Sequence, residues 1–245
     1  MLRIVCFAEA PADGRLGGDL VDRVLVEEGP DWVDTDLLPD LRVWTGLTPG
    51  DPFTKWTALK DLHRQGRGPR YLGRETSGPR GANYAEGVKA LTQAAALRRD
   101  GIDVLAVVML RDCDAAGDRR EGLRQAAGEP RFAGLHAVVG VADKMREAWV
   151  LNGFVAETQA EQARLAQLQA DLAFDPIHEA HRLRDHNEDG ARSAKRVLSL
   201  LTDGDAEREA RCWLETPLCD LRTRGTKTGL GQFLDEASRH LPRLL

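Results

Sequence analysis

A chain of 245 residues with 42% hydrophobic and 30% charged side chains is long enough to bury a sizeable core and too apolar to be disordered. Its net charge of −5 argues against a protein that coats nucleic acid by charge alone, while leaving room for a local basic groove. No run approaches the roughly 18 consecutive apolar residues of a membrane span, and the four cysteines (Cys6, Cys113, Cys212 and Cys219) form no CxxC pair or zinc pattern, so reduced structural thiols are expected.

Leu2 to Ala8 reads as a short buried strand that ends at Glu9. It is too short, and meets a carboxylate too soon, to be a signal peptide, so a cytoplasmic location is expected. Pro11, Gly14, Gly17 and Gly18 predict a loop, followed by a helix carrying Leu20, Val21, Val24 and Leu25 as far as Gly29-Pro30. Leu41 to Thr45 predicts a second strand, and Gly66 to Gly81 an exposed loop. A helix with Tyr84, Val88, Leu91 and Leu97 on one face follows, capped at Gly101.

Ile102 to Leu110 is the most strand-like run, and its near-continuous hydrophobicity suits a central parallel strand covered on both faces. It leads into Arg111-Asp112-Cys113-Asp114-Ala115-Ala116-Gly117-Asp118 and a helix to about Ala127. Leu135 to Ala142 is another strand, and a helix with Glu147, Ala148 and Trp149 follows it directly. From about Ala156 the pattern is helical, broken near Pro176, Gly190, Asp203-Gly204 and Pro217. The expected architecture is therefore α/β: a parallel sheet flanked by helices over residues 1–155, with a mostly helical C-terminal extension over 156–245 packed on it.

Ligands of open α/β sheets bind beyond the carboxyl ends of the strands. Two strands here end in carboxylates, one at Glu9 and one at Asp112 and Asp114. Such oxygen ligands suit Mg²⁺ or Mn²⁺. Read alone, DxD at a strand end is also a turn and helix-capping sequence.

At these residues the sequence resembles the Toprim family, whose domains place a glutamate after the first strand and a DxD pair after a later one. The family's Glu-Gly-x-x-Asp reads Glu9-Ala10-Pro11-Ala12-Asp13 here, and its DxDxxG reads Asp112 to Gly117. Val138 to Ala142 leading to Glu147-Ala148-Trp149 is similar to a strand-then-EAW pattern. That pattern occurs in small Toprim-like proteins of bacterial phage-defence loci and in the nuclease half of OLD-type proteins. The resemblance covers roughly residues 1–150. It implies that Glu9, Asp112 and Asp114 hold one metal, that Asp13 helps with a second, and that a lysine assists. Alanine stands where the family has glycine after Glu9, which leaves Asp19 or Asp118 as alternatives to Asp13.

Lys195, early in an amphipathic helix, and Lys227, in the loop Arg222-Thr223-Arg224-Gly225-Thr226-Lys227, are the lysine candidates. The first is read as a transition-state contact and otherwise as a surface lysine. Arg222, Arg224 and Lys227 are read as contacts to a phosphate backbone, or as an exposed loop. Glu147, one turn into its helix, is a further candidate metal ligand or a surface residue. His178, His181 and His186 match no HExxH pattern and are read as polar helix faces.

A haloacid-dehalogenase-type phosphatase is a weaker reading, because Ala116 stands where Thr or Val is wanted; an EF-hand fails at Leu123, which should be Glu. A Walker A loop and a Rossmann GxGxxG are absent. The expectation is a magnesium- or manganese-dependent nuclease, on DNA more than RNA, acting in phage defence beside a separate ATPase, with a homo-oligomer as one form it could take. The competing expectation is a non-catalytic metal- and partner-binding module.

Overall fold

The structure is a computed structural model that describes residues 1–59, 80–113 and 119–245. Asp114, Asp118 and nearly all of the predicted Gly66–Gly81 loop lie outside the described residues. The chain forms two compact units: Met1–Arg111 with Ala116–Val141 and Glu236–Leu245, and Asp112–Ala115 with Ala142–Asp235.

The first unit is an α/β layer. Its strands are β1 (Leu2–Ala8), β2 (Arg42–Thr45), β3 (Thr54–Lys55), β4 (Val104–Asp112) and β5 (His136–Ala142). They form one parallel sheet in the order β2-β1-β4-β5, with β3 also pairing with β1. Ile4 lies opposite Ala106 and Phe7 opposite Met109, so the two most apolar strands are adjacent. Ile4, Val5, Phe7, Ala106 to Met109 and Val138 are fully buried, as expected of parallel strands covered on both faces. Helices α1 (Pro11–Glu27), α2 (Leu38–Leu41), α3 (Tyr84–Arg99) and α4 (Arg119–Ala127) complete the unit. Gly101 has φ of 86°, the left-handed conformation that ends α3.

The loop predicted at Pro11 to Gly18 is instead the start of α1. Pro11 occupies the first turn, where its missing N–H costs nothing, and the Asp13 carboxylate accepts a hydrogen bond from the Ala10 N–H at 2.8 Å. Gly14 and Gly17 sit within this helix where neighbouring side chains come close. A Cβ at Gly17 would lie 2.3 Å from Leu110 Cδ1, so a larger residue there would require the Leu110 side chain to move. The two-residue strand β3 was not expected from the sequence.

The second unit is helical: α5 (Glu147–Asn152), α6 (Gln159–Leu172), α7 (Ala194–Thr202), α8 (Ala206–Leu214), α9 (Leu218–Arg224) and the first part of α10 (Leu230–His240). Thr158, Ser193 and Asp205 cap α6, α7 and α8 by accepting N–H groups of the first turn. The core gathers Trp149, Leu151, Phe154, Leu198, Leu201, Trp213, Leu221 and Phe233, with Trp149 stacked on Phe233 at 5.2 Å. Within it, Arg208 and Glu161 form a buried ion pair, Nε to Oε1 at 2.7 Å.

Gly153 closes α5 against α8, and a Cβ there would stand 2.0 Å from the Cys212 carbonyl oxygen. Backbone cannot rotate away as a side chain does. Gly153→Ala is therefore expected to cost about 1–3 kcal/mol, the range for overpacking a filled core. Urea unfolding followed by tryptophan fluorescence measures it, and an unchanged midpoint would show that the site can relax.

All four cysteines are free. Burial pushes the Cys6 and Cys212 thiols up to about 12, which removes their nucleophilic thiolate form at neutral pH. Cys219 is exposed. Among the described residues no helix is long and apolar enough to cross a membrane.

Candidate functional site at the carboxyl ends of the strands

In the first unit, Glu9 follows β1 and its carboxylate is claimed by arginine. Arg111 Nε donates to Glu9 Oε1 at 3.0 Å, and Arg119 Nη1 lies 3.9 Å from the same oxygen. The Arg111 guanidinium is stacked over the Trp56 ring at 4.9 Å. That ring is fixed in turn by a hydrogen bond from its Nε1 to the Leu110 carbonyl at 2.7 Å and by contact with Phe7. A guanidinium stacked on an aromatic face and bonded to a carboxylate loses little further entropy on meeting an anion. Arg111 Nη1 is buried without a hydrogen-bond partner among the described residues. Such a donor is costly to leave unmade, and an arriving oxyanion would satisfy it.

In the second unit the Cys113 N–H, just past the end of β4, donates to the Ala142 carbonyl at the end of β5, at 2.8 Å. Asp112 and Asp143 therefore flank one backbone hydrogen bond. The Asp143 N–H donates to the Thr228 carbonyl at 2.8 Å, and Trp149 Nε1 donates to the same carbonyl, also at 2.8 Å. Thr228 is completely buried, and its hydroxyl is bonded to Asn152 Oδ1 and the Gly225 carbonyl. These contacts fix the backbone beside Lys227, and they join the EAW segment to the basic loop.

His181 completes this neighbourhood. Burial, and then the nearby Lys227 charge, hold its pKa below the ordinary value, with Asp143 pulling the other way. Its Nδ1 is buried without a hydrogen-bond partner among the described residues. The expectation that the histidines decorate helix faces does not hold for His178, which lies in a turn and pairs with Asp175 at 2.9 Å. Nor does it describe His181. Asp143 was also missed, although it follows an apolar strand just as Asp112 does.

The other predicted residues are placed as follows. Asp13 serves the α1 cap described above, and Asp19 lies 3.7 Å from Arg15 Nε one turn before it. Glu147 is paired with Arg146 at 3.1 Å, and Lys195 feels the charges of both. The Lys195 ammonium itself is exposed and donates to Glu188 at 2.6 Å, which raises its pKa. Arg222 bonds Asp235 at 3.1 Å, and Arg224 lies 3.5 Å from Asp220 while donating to the Asn152 carbonyl.

The three-carboxylate metal centre expected from the sequence can be tested only in part. Asp112 offers hard oxygens of the right kind. Glu9 is bound to arginine, which competes with any cation for the same oxygen. Among the described residues no three His, Cys, Asp or Glu side chains are grouped to hold a metal ion. The described residues alone thus do not fit that centre, and Asp114 lies outside them.

Comparison with protein-family models, curated proteins and solved structures finds no match to this chain.

Proposed function

We propose that this protein binds the phosphodiester backbone of nucleic acid at the carboxyl ends of its parallel strands and cleaves it with the help of Mg²⁺ or Mn²⁺. DNA is the favoured substrate, and the reading is that of a Toprim-type nuclease serving phage defence, with an ATPase as partner. The observation that carries it is the anchoring of Lys227: the Thr228 carbonyl holds both the Asp143 N–H and the Trp149 indole N–H. The lysine's backbone neighbour is thereby tied to a strand-end aspartate, and a cation near carboxylates is the combination that phosphoryl chemistry needs. The unsatisfied Arg111 Nη1 supports the same ligand class, since a phosphate oxygen is its natural partner.

Lys227 replaces Lys195 as the preferred phosphate contact, because the Lys195 ammonium is engaged by Glu188 in solvent. Asp112 and Asp114 carry the metal part of the proposal. The pairing of Glu9 with Arg111 favours a second reading, a binding module without turnover.

The test is a cleavage assay on single- and double-stranded DNA and RNA with Mg²⁺, Mn²⁺ or chelator, alone and with a partner ATPase. Metal-dependent cleavage is expected. Lys227→Ala should weaken nucleic-acid binding and reduce the dependence of log Kd on log salt by about one, as one lost phosphate contact does. Binding without cleavage in every condition would select the second reading. An unchanged salt dependence would remove Lys227 from the interface.

A further inference from the structure

At the amino end of β5 the first unit encloses a second, unrelated concavity of about 470 Å³, lined by His136, Glu236, Arg239, His240 and Arg243 among others. β5 has seven residues, so this end is roughly 20 Å along the strand from its carboxyl end. The volume is in the range of small-molecule sites.

Its lining carries Arg124, Arg239 and Arg243 against two carboxylates, Glu129 and Glu236, both already engaged: Glu129 accepts from the Tyr84 hydroxyl and lies 3.5 Å from Arg131 Nε. Arg243 Nη2 lies 3.5 Å from Nδ1 of both His136 and His240, whose rings are 6.3 Å apart. Arg98, reaching across from α3, donates to the Gly134 carbonyl and acts electrostatically on His136. None of Arg98, Arg239 and Arg243 is paired with a carboxylate among the described residues. Neither carboxylate of the lining faces these three arginines as a partner among the described residues. Glu236 is 6% exposed, is already ion-paired with Arg124, and receives the Val139 N–H at 2.8 Å on its other oxygen.

We propose that this cavity is a phosphate-binding pocket, with Arg239 and Arg243 as its charged contacts and His136 and His240 as its imidazole donors. Arginine forks match the geometry of a tetrahedral oxyanion and form charge-assisted hydrogen bonds with it. Like charges assembled around an open cavity repel one another, and a dianion in the cavity turns that repulsion into attraction.

The histidines report the same field. His136 is held below its ordinary pKa by burial, then by Arg243 and Arg98. His240 is held below it by burial and Arg243, with Arg239 and His136 adding to the effect and Glu236 opposing it. A bound dianion reverses the dominant electrostatic influence, so both rings take up protons on binding. Affinity therefore rises as pH falls through the histidine range.

The phosphate has two plausible sources, a free ion or the ester of a nucleotide. Calorimetric titration of the full chain at pH 7 with inorganic phosphate and with a nucleoside 5′-monophosphate distinguishes them. Saturable binding of either is expected, and the tighter of the two identifies the source. Sulfate keeps its two charges across the range, so it serves for the pH arm. Its affinity is expected to increase about 10-fold from pH 8 to pH 6. Arg243→Gln, and separately Arg239→Gln as a second surface variant, should each weaken binding about 10-fold or more while melting as wild type does. His136→Asn with His240→Asn should lose the roughly 10-fold gain in affinity between pH 8 and pH 6. The proposal is overturned if chloride at equal ionic strength displaces the heat signal completely, or if both arginine variants bind as wild type.

Discussion

Arg208→Met is expected to destabilise the protein by about 3–5 kcal/mol, the cost of leaving one member of a buried ion pair without its partner. Arg208 and Glu161 are both almost fully buried, and the guanidinium also donates to the Val155 carbonyl at 2.6 Å and covers the Phe154 ring. The carboxylate is held by that guanidinium and by the Glu157 N–H at 2.6 Å, which bring its pKa from 4.5 down to about 2. The sign of the pH dependence follows. A carboxyl with a depressed folded-state pKa contributes stability that is present above about 4.5 and disappears as pH falls toward 2. The shift corresponds to about 3 kcal/mol. Urea unfolding of wild type between pH 6 and pH 2.5 should show that loss, and Glu161→Gln should flatten it. Replacing both partners, Glu161→Leu with Arg208→Met, is expected to be nearly neutral, because no buried charge is then orphaned. A loss under 1 kcal/mol for Arg208→Met alone would show that water reaches the pair.

Asp114→Ala is expected to lower metal-dependent cleavage by about 10³-fold or more, since a catalytic cation contributes several kcal/mol and each 1.36 kcal/mol is a factor of ten. Asp112→Asn should act in the same direction. Ca²⁺ should replace Mg²⁺ poorly, because its larger and looser shell positions reacting groups less well. Mg²⁺ should also raise the melting temperature of wild type and leave that of Asp112→Asn nearly unchanged, by mass action on the folded state. Undiminished cleavage by Asp114→Ala would remove the DxD pair from the chemistry. Equal Mg²⁺ shifts for wild type and Asp112→Asn would remove it from metal binding.

The sheet was legible because β1, β4 and β5 are apolar runs too short for helices and too continuous for surface strands. The start of α1 was misread because Gly14, Gly17 and Gly18 look like a loop to any local rule. The packing shows what that rule cannot: Gly17 faces Leu110 and Gly14 faces Phe53 at close range. β3, two residues long, carries no periodicity to detect.

At the site, strand-end carboxylates were found by their position after apolar runs, and the same rule applied to Asp143 would have found it. What the sequence could not convey is who answers those carboxylates. Glu9 and Arg111 are 102 positions apart, and Lys227 is positioned by a Trp149–Thr228 bond spanning 79. Such partnerships belong to the topology and leave no local trace.

The Glu236 carboxylate has a consequence for how the protein is made. It receives the Val139 N–H of β5, 97 positions earlier in the chain, and pairs with Arg124 as well. Synthesis at 5–20 residues per second leaves an interval of roughly 5–20 s between the two. Throughout that interval the second unit is being threaded out while β5, the last strand in the sheet order, has its N–H uncovered. An open strand edge is a template for pairing with another chain. The nascent chain therefore carries the Val139 N–H without its carboxylate partner through that interval, and the finished protein does not.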